Sequence, residues 1–256
     1  MNFRTFLAML ARDAHVARRN IIPLLLQTLM QPMMFVFVFG RVMTTSGLMR
    51  PEYKSLLLPG IIAISMMFSG TWAVAMPLVA EFQFTKEIED RLLAPMEIEW
   101  LAIEKVVGGT LQGLAAGLIV VPLAWLIMGS GLALGGSHVL GFLAMAVTVA
   151  LLSATLGLTL GCAVKQQHVG LMFSLVLTPM IFFGCTYYPW SALASFPILQ
   201  RLVLANPLVY ASEGFRSMLV PQYPHLPAWA IAAGLLGFNV FFLSVGLQLF
   251  RRKAVS

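Results

Sequence analysis

The chain has 256 residues, of which 59% are hydrophobic and only 10% charged, with a mean hydropathy of +0.89. A soluble domain carries about 25% charged residues, so this composition excludes one and describes a membrane protein. The formal charge of +6 does not argue for nucleic acid, because polytopic proteins gather Lys and Arg on their cytoplasmic loops. Two cysteines exclude a disulfide scaffold, and no Cys/His cluster has metal-ligand spacing.

Residues 1–20 read as a helix lying on the membrane surface. Phe3, Leu7, Leu10, Ala14 and Ala17 recur every three or four residues, while Arg4, Arg12, Asp13, Arg18 and Arg19 fall largely elsewhere on the wheel. A helix needs about 20 mainly apolar residues to cross a bilayer. The uncharged run 21–40 predicts a first span over 21–43, and its length does not suit a cleaved signal peptide. Residues 55–80, between Lys54 and Glu81, hold a second span. The 59 residues between Lys105 and Lys165 contain no Asp, Glu, Lys or Arg, and GSGLALGGSH at 129–138 divides them into spans over 106–128 and 139–164.

A fifth span is expected over 169–188 and a sixth over 228–250, stopping at Arg251, Arg252 and Lys253. Between them, residues 189–227 carry Pro189, Pro197, Pro207, Pro221, Pro224 and Pro227, which no straight crossing helix accommodates. Short re-entrant helices are expected there, shielded by protein or water. The expected class is therefore an all-α polytopic membrane protein with six transmembrane helices. With both termini inside, cytoplasmic segments hold eleven Lys and Arg against five outside. Cys162 then falls near the inner end of the fourth span and Cys185 near the outer end of the fifth, unpaired, with Cys185 placed where an external thiol reagent can label it.

Several chemistries are absent. A phosphate-binding loop needs Gly immediately before Lys, and the five lysines follow Tyr53, Thr85, Glu104, Val164 and Arg252. His15, His138, His168 and His225 lie in loops or at membrane boundaries, which disfavours intramembrane hydrolysis. No carboxylate, His or Lys lies near a span centre, as ion-coupled transport would require. Arg41 and Glu81 fall at membrane edges, where snorkelling accounts for them. An aquaporin would need two Asn-Pro-Ala turns, and Asn206-Pro207-Leu208 has no counterpart.

The segment from Glu81 to Lys105 holds seven of the ten acids in the chain. Within it Phe84, Ile88 and Leu92 recur every four residues until Pro95, which predicts an amphipathic cytoplasmic helix over 84–96 with one docking face. Gly109, Gly113 and Gly117, and Gly157 and Gly161, repeat every fourth residue and predict close helix contact, static packing being favoured over a sliding interface. Met33, Met34, Met66 and Met67 suit either an adaptable apolar pathway or lipid-facing surface.

Four motifs in this order carry a family resemblance: LLLPGI at 56–61, IEDRLLAP at 88–95, VLTPMIFFGCTYYP at 176–189 and NPLVYASEGFR at 206–216. The chain resembles the integral-membrane subunit of ABC-2 type exporters, of the branch with daunorubicin-resistance and nodulation-factor permeases. It departs from the usual pattern where Glu87 and Ile88, rather than Gly-Thr, precede Glu89. The resemblance implies two membrane subunits working with two separate ATPase subunits that hold ATP and Mg, and no cofactor in this chain. It implies a multi-pass protein of the bacterial cytoplasmic membrane that exports drugs, lipids or lipid-linked glycans. It assigns coupling to Glu87, Ile88, Glu89, Asp90, Arg91, Leu92 and Pro95. The family's external re-entrant helices correspond to 189–227, where Asn206, Pro207, Tyr210, Glu213 and Arg216 are expected to form an outer gate. Glu213 and Arg216 share a helix face, and the residues leave open an ordinary surface ion pair or a partly screened one that holds the gate. An ATP-independent channel or secondary carrier is the alternative from another class.

Overall fold

A computed structural model of the chain describes residues 9–12, 30, 33, 34, 36–47, 53–82, 98–128, 139–164 and 166–255. Among these the architecture is helical and contains no strand. Among the described residues four helices are long and apolar enough to cross a membrane: Ser55–Ala80, Ile98–Leu123, Val139–Ala163 and Ala228–Ala254. They lie within the longer helices α1 (Tyr53–Ala80), α2 (Ile98–Met128), α3 (Val139–Ala163) and α7 (Ala228–Val255). At about 1.5 Å per residue, each exceeds the hydrocarbon thickness of a bilayer. Leu118, Leu140, Trp229 and Phe241 are exposed on their outer surfaces, which suits contact with lipid rather than water.

α1 is the centre of the bundle and packs against α2, α3 and the short helix α6 (Pro207–Leu219), while α3 also packs on α7. It keeps Pro59 and Pro77 inside its length, which packed neighbours permit in a membrane helix. Glycine on its neighbours lets it sit closely. A Cβ at Gly109 of α2 would collide with Val74, and one at Gly157 of α3 would stand 2.7 Å from the main-chain oxygen of Thr71. Polar side chains add specific ties: Thr71 donates to the main-chain oxygen of Ser153 at 3.0 Å, and Thr159 to that of Phe242 at 2.8 Å.

The helix expected over 106–128 starts eight residues earlier, at Ile98. Charge at Glu104 and Lys105 does not end it, because Lys105 is buried and paired. The last helix likewise runs through Arg251–Lys253 to Val255. The expected span 169–188 is interrupted. The apolar stretch Val169–Phe182, α4, contains a π turn at Phe173–Leu177 and leaves helical geometry after Phe182. Pro179 explains the disturbance, since it has no N–H to return to the carbonyl four residues earlier. After it come a 3-10 turn at Trp190–Ser195, the helix α5 (Pro197–Leu202), a 3-10 turn at Val203–Ala205, α6, and a non-helical segment up to α7.

Before α1, a π turn at Val38–Val42 leads into a single helical turn at Met43–Thr45, and Arg41 is exposed. From the expected surface helix over 1–20 only 9–12 are described; they are helical, and Met9 packs on a cluster that includes Val74, Leu78, Leu101 and Phe250. Most of the expected first span lies outside the described residues, as does the helix expected over 84–96.

Candidate functional site

α6 is built by local chemistry. Asn206 caps it, its Oδ1 accepting from the Leu208 N–H at 3.0 Å, and Pro207 occupies the first helical position, where no N–H is needed. The Asn206 amide also donates to the main-chain oxygen of Met180 at 2.7 Å, fixing α6 to α4. Tyr210 donates to the oxygen of Leu204 at 2.9 Å and lies against Gly234, which ties the same helix to the preceding turn and to α7.

Glu213 and Arg216 are both 0% exposed. The reading as an ordinary surface ion pair is therefore corrected: the two side chains, three residues apart on α6, are buried, and α6 packs against α1, α3 and α7. The Arg216 Nη1 donates to Glu213 Oε1. Both Glu213 oxygens and the Arg216 Nη2 serve the main chain, while the buried Arg216 Nε has no hydrogen-bond partner among the described residues. Glu213 Oε1 accepts from Trp190 N–H at 2.9 Å and Oε2 from Leu226 N–H at 3.0 Å. Arg216 Nη2 donates to the oxygen of Cys185 at 2.9 Å and lies 3.5 Å from that of Leu56, the outer limit of a hydrogen bond.

One ion pair thus satisfies peptide groups from the turn after α4, the 3-10 turn at Trp190 and the segment before α7, and reaches the first turn of α1 at the limit of hydrogen-bond distance. Irregular backbone in an apolar environment costs several kcal/mol per unsatisfied group, about 1–3 in protein interiors. The pair supplies what a regular helix would have supplied to itself. Further bonds complete the cap: Trp190 Nε1 donates to the oxygen of Gln200 at 3.0 Å, Thr186 to that of Ile181 at 3.0 Å, and Tyr53 to that of Tyr187. Gly60 of α1 lets the main chain at Thr186 pass over it, since a Cβ there would overlap the Thr186 carbonyl.

A second charged cluster closes the opposite end of α1. Glu81 and Lys105 are 8% and 7% exposed, with Nζ to Oε1 at 2.7 Å and Glu104 Oε2 at 3.9 Å from the same ammonium. Glu81 does not snorkel into water; α2 begins early enough to bring Lys105 beside it. Next to it the Lys253 ammonium lies 4.9 Å from the centre of the Phe82 ring and donates to the oxygen of Cys162 at 3.3 Å, while Phe82 meets Phe250 edge-on at 5.5 Å.

The structure brings Asn206, Pro207, Tyr210, Glu213 and Arg216 together on α6 and its cap. Gly109, Gly113 and Gly117 face Val74 and Met66 of α1, and Gly157 and Gly161 face Thr71 and Ala75, so both glycine series pack within this chain. Glu87, Ile88, Glu89, Asp90, Arg91, Leu92 and Pro95 lie outside the described residues. Cys162 and Cys185 are free, and Cys185 is 0% exposed rather than open to an external reagent. Sequence reasoning did not assign Trp190, Cys185 or Leu226 to this site, because they contribute backbone atoms that carry no residue signature. Nor did it pair Glu81 with Lys105, which stand 24 residues apart on different helices.

The profile of the ABC-2 type transporter family matches residues 4–220, a region that takes in α1 to α6 and the buried pair. The chain belongs to this family. Among curated proteins it is similar to the inner membrane transport permease YadH of Escherichia coli K12, at 28% identity over 198 residues, covering 74% of each chain. Proteins of the same name from Escherichia coli O157:H7 and Shigella flexneri match with the same identity and coverage. As an ABC-2 type transporter the chain is a multi-pass membrane permease.

Proposed function

We propose that this chain is the membrane-spanning subunit of an ATP-driven exporter, powered by a separate ATPase subunit that holds ATP and Mg. The observation that carries this reading is that an ABC-2 family chain has no Gly-Lys phosphate loop, so nucleotide chemistry belongs to a partner. Its substrate is hydrophobic or amphipathic: a drug, a lipid or a lipid-linked glycan. The protein sits in the bacterial inner membrane, in keeping with the relatives' names, with six spans and both termini cytoplasmic. The first of these spans covers 21–43, and the segment 169–188 crosses with the interruption at Pro179. Six spans are few for a complete pathway, and a homodimer is the simplest assembly.

In this orientation the helix over 84–96 rests in the ATPase, with Ile88 and Leu92 as anchors and Glu87, Glu89, Asp90 and Arg91 as its polar rim. The cap formed by 183–227 faces outward and acts as a gate held by Glu213 and Arg216. The test is purification of the chain from its native host in mild detergent. The reading expects a nucleotide-binding subunit to copurify and to hydrolyse ATP in the complex. Recovery of an intact permease without any such subunit, able to move substrate without ATP, would establish a channel or secondary carrier instead.

A further inference from the structure

The Glu81–Lys105 pair stands at a particular place in the chain. Glu81 follows the last residue of α1, Ala80, and α2 is helical from Ile98. The segment 83–97 connects these two helices in the chain. Lys105 is seven residues into α2, about 10 Å from its start. The ion pair thus crosses between the two helices a short way inside the point where the segment joins them. It is buried, so its attraction is weakly screened, and a second carboxylate, Glu104, stands 3.9 Å from the ammonium.

We infer that Glu81 and Lys105 are positioning residues for energy coupling: they lock the ends of α1 and α2 so that a push on 83–97 moves both helices as one body. This rests on the reading that 84–96 docks on the ATPase. α1 is the member that carries the motion further, because it packs on α2, α3 and α6 and its far end reaches Arg216 through Leu56. Glu81 and Leu56 are 25 residues apart, about 38 Å along one helix. Without the brace each helix can absorb displacement separately, and ATP hydrolysis loses its dependence on the membrane subunit.

The test uses the complex of this chain with its copurifying ATPase in lipid nanodiscs. The readouts are ATPase stoichiometry, melting temperature, and ATP hydrolysis relative to the free ATPase subunit. Glu81→Gln and Lys105→Met are expected to retain the ATPase subunit at wild-type stoichiometry while reducing the permease-dependent change in hydrolysis about tenfold, within the usual range of coupling between sites. Lys105→Arg, and the exchange Glu81→Lys with Lys105→Glu, are expected to restore most of it. Wild-type hydrolysis in both single variants overturns the inference, as does an exchange variant that inserts and binds the ATPase yet is no better coupled than the singles. Loss of ATPase binding in the single variants also overturns it, since the pair would then be part of docking. If the single variants fail to insert, the exchange and Lys105→Arg decide by the same criteria. If the wild-type chain binds no ATPase, the docking reading itself fails, which the stoichiometry separates from failure of the brace.

Discussion

Arg216 donates a 2.9 Å hydrogen bond to the main-chain oxygen of Cys185, a residue held at a φ of 52°. Left-handed backbone is unfavourable for a residue with a Cβ by roughly 1–2 kcal/mol. The guanidinium, itself neutralised by Glu213, sits where it compensates a chain reversal that could not satisfy itself.

The buried pair has a strong stability consequence. Removing one partner leaves the other charge buried and is expected to cost about 3–5 kcal/mol. Arg216→Ala and Glu213→Ala should therefore both lower the melting temperature in detergent. Glu213→Gln with Arg216→Met together removes both charges and should melt above Arg216→Ala alone. A double variant less stable than both single variants would show that the four backbone bonds, not the charges, dominate.

For the gate, Glu213→Gln is the informative change, because it keeps an acceptor for Trp190 or Leu226 while weakening the hold on Arg216. Coupled export by the assembled complex should fall while its ATP hydrolysis persists. Normal export, or joint loss of assembly and hydrolysis, would make the pair structural alone.

The coupling residues make a separate prediction. Glu89→Lys reverses charge on the rim of the docking helix, and Leu92→Asp removes an anchor at a cost of about 2–4 kcal/mol, as at interface hot spots. Both variants should insert normally and lose ATP-driven transport. Wild-type transport in both would show that 84–96 does not dock.

Glycine positions give an internal control. At Gly157 a Cβ would stand 2.7 Å from a main-chain oxygen of α1, whereas at Gly108 nothing lies within 4 Å. Gly157→Ala should destabilise by about 1–3 kcal/mol through overpacking, and Gly108→Ala should be neutral or slightly stabilising. Thermal melts of the two variants side by side check this.

Neither cysteine should react with a membrane-impermeant maleimide in the folded protein, because Cys185 is 0% and Cys162 6% exposed. Rapid labelling of Cys185 from outside would mean that the cap opens spontaneously.

Composition and uncharged run length were enough to identify a helical membrane protein and to locate the helices at 55–80, 139–164 and 228–250 nearly to the residue at their starts, because a bilayer imposes one length and one polarity on whatever crosses it. The motif order led to the family, and proline spacing marked 189–227 as something other than a straight helix. Charge was read less well. Lys105 looked like the boundary of a span and Glu81 like a snorkelling edge residue, yet each is buried because it meets the other, and a pairing across two helices has no local signature. Glu213 and Arg216 were visible as a pair at helical spacing, but their burial depends on Cys185, Trp190, Leu226 and Leu56 arriving from distant parts of the chain. Those residues contribute only peptide N–H and C=O groups, which every residue has. Local sequence determines which segments are helical and apolar; only the packed bundle decides which backbone groups are left over and which charged side chains are enclosed to satisfy them.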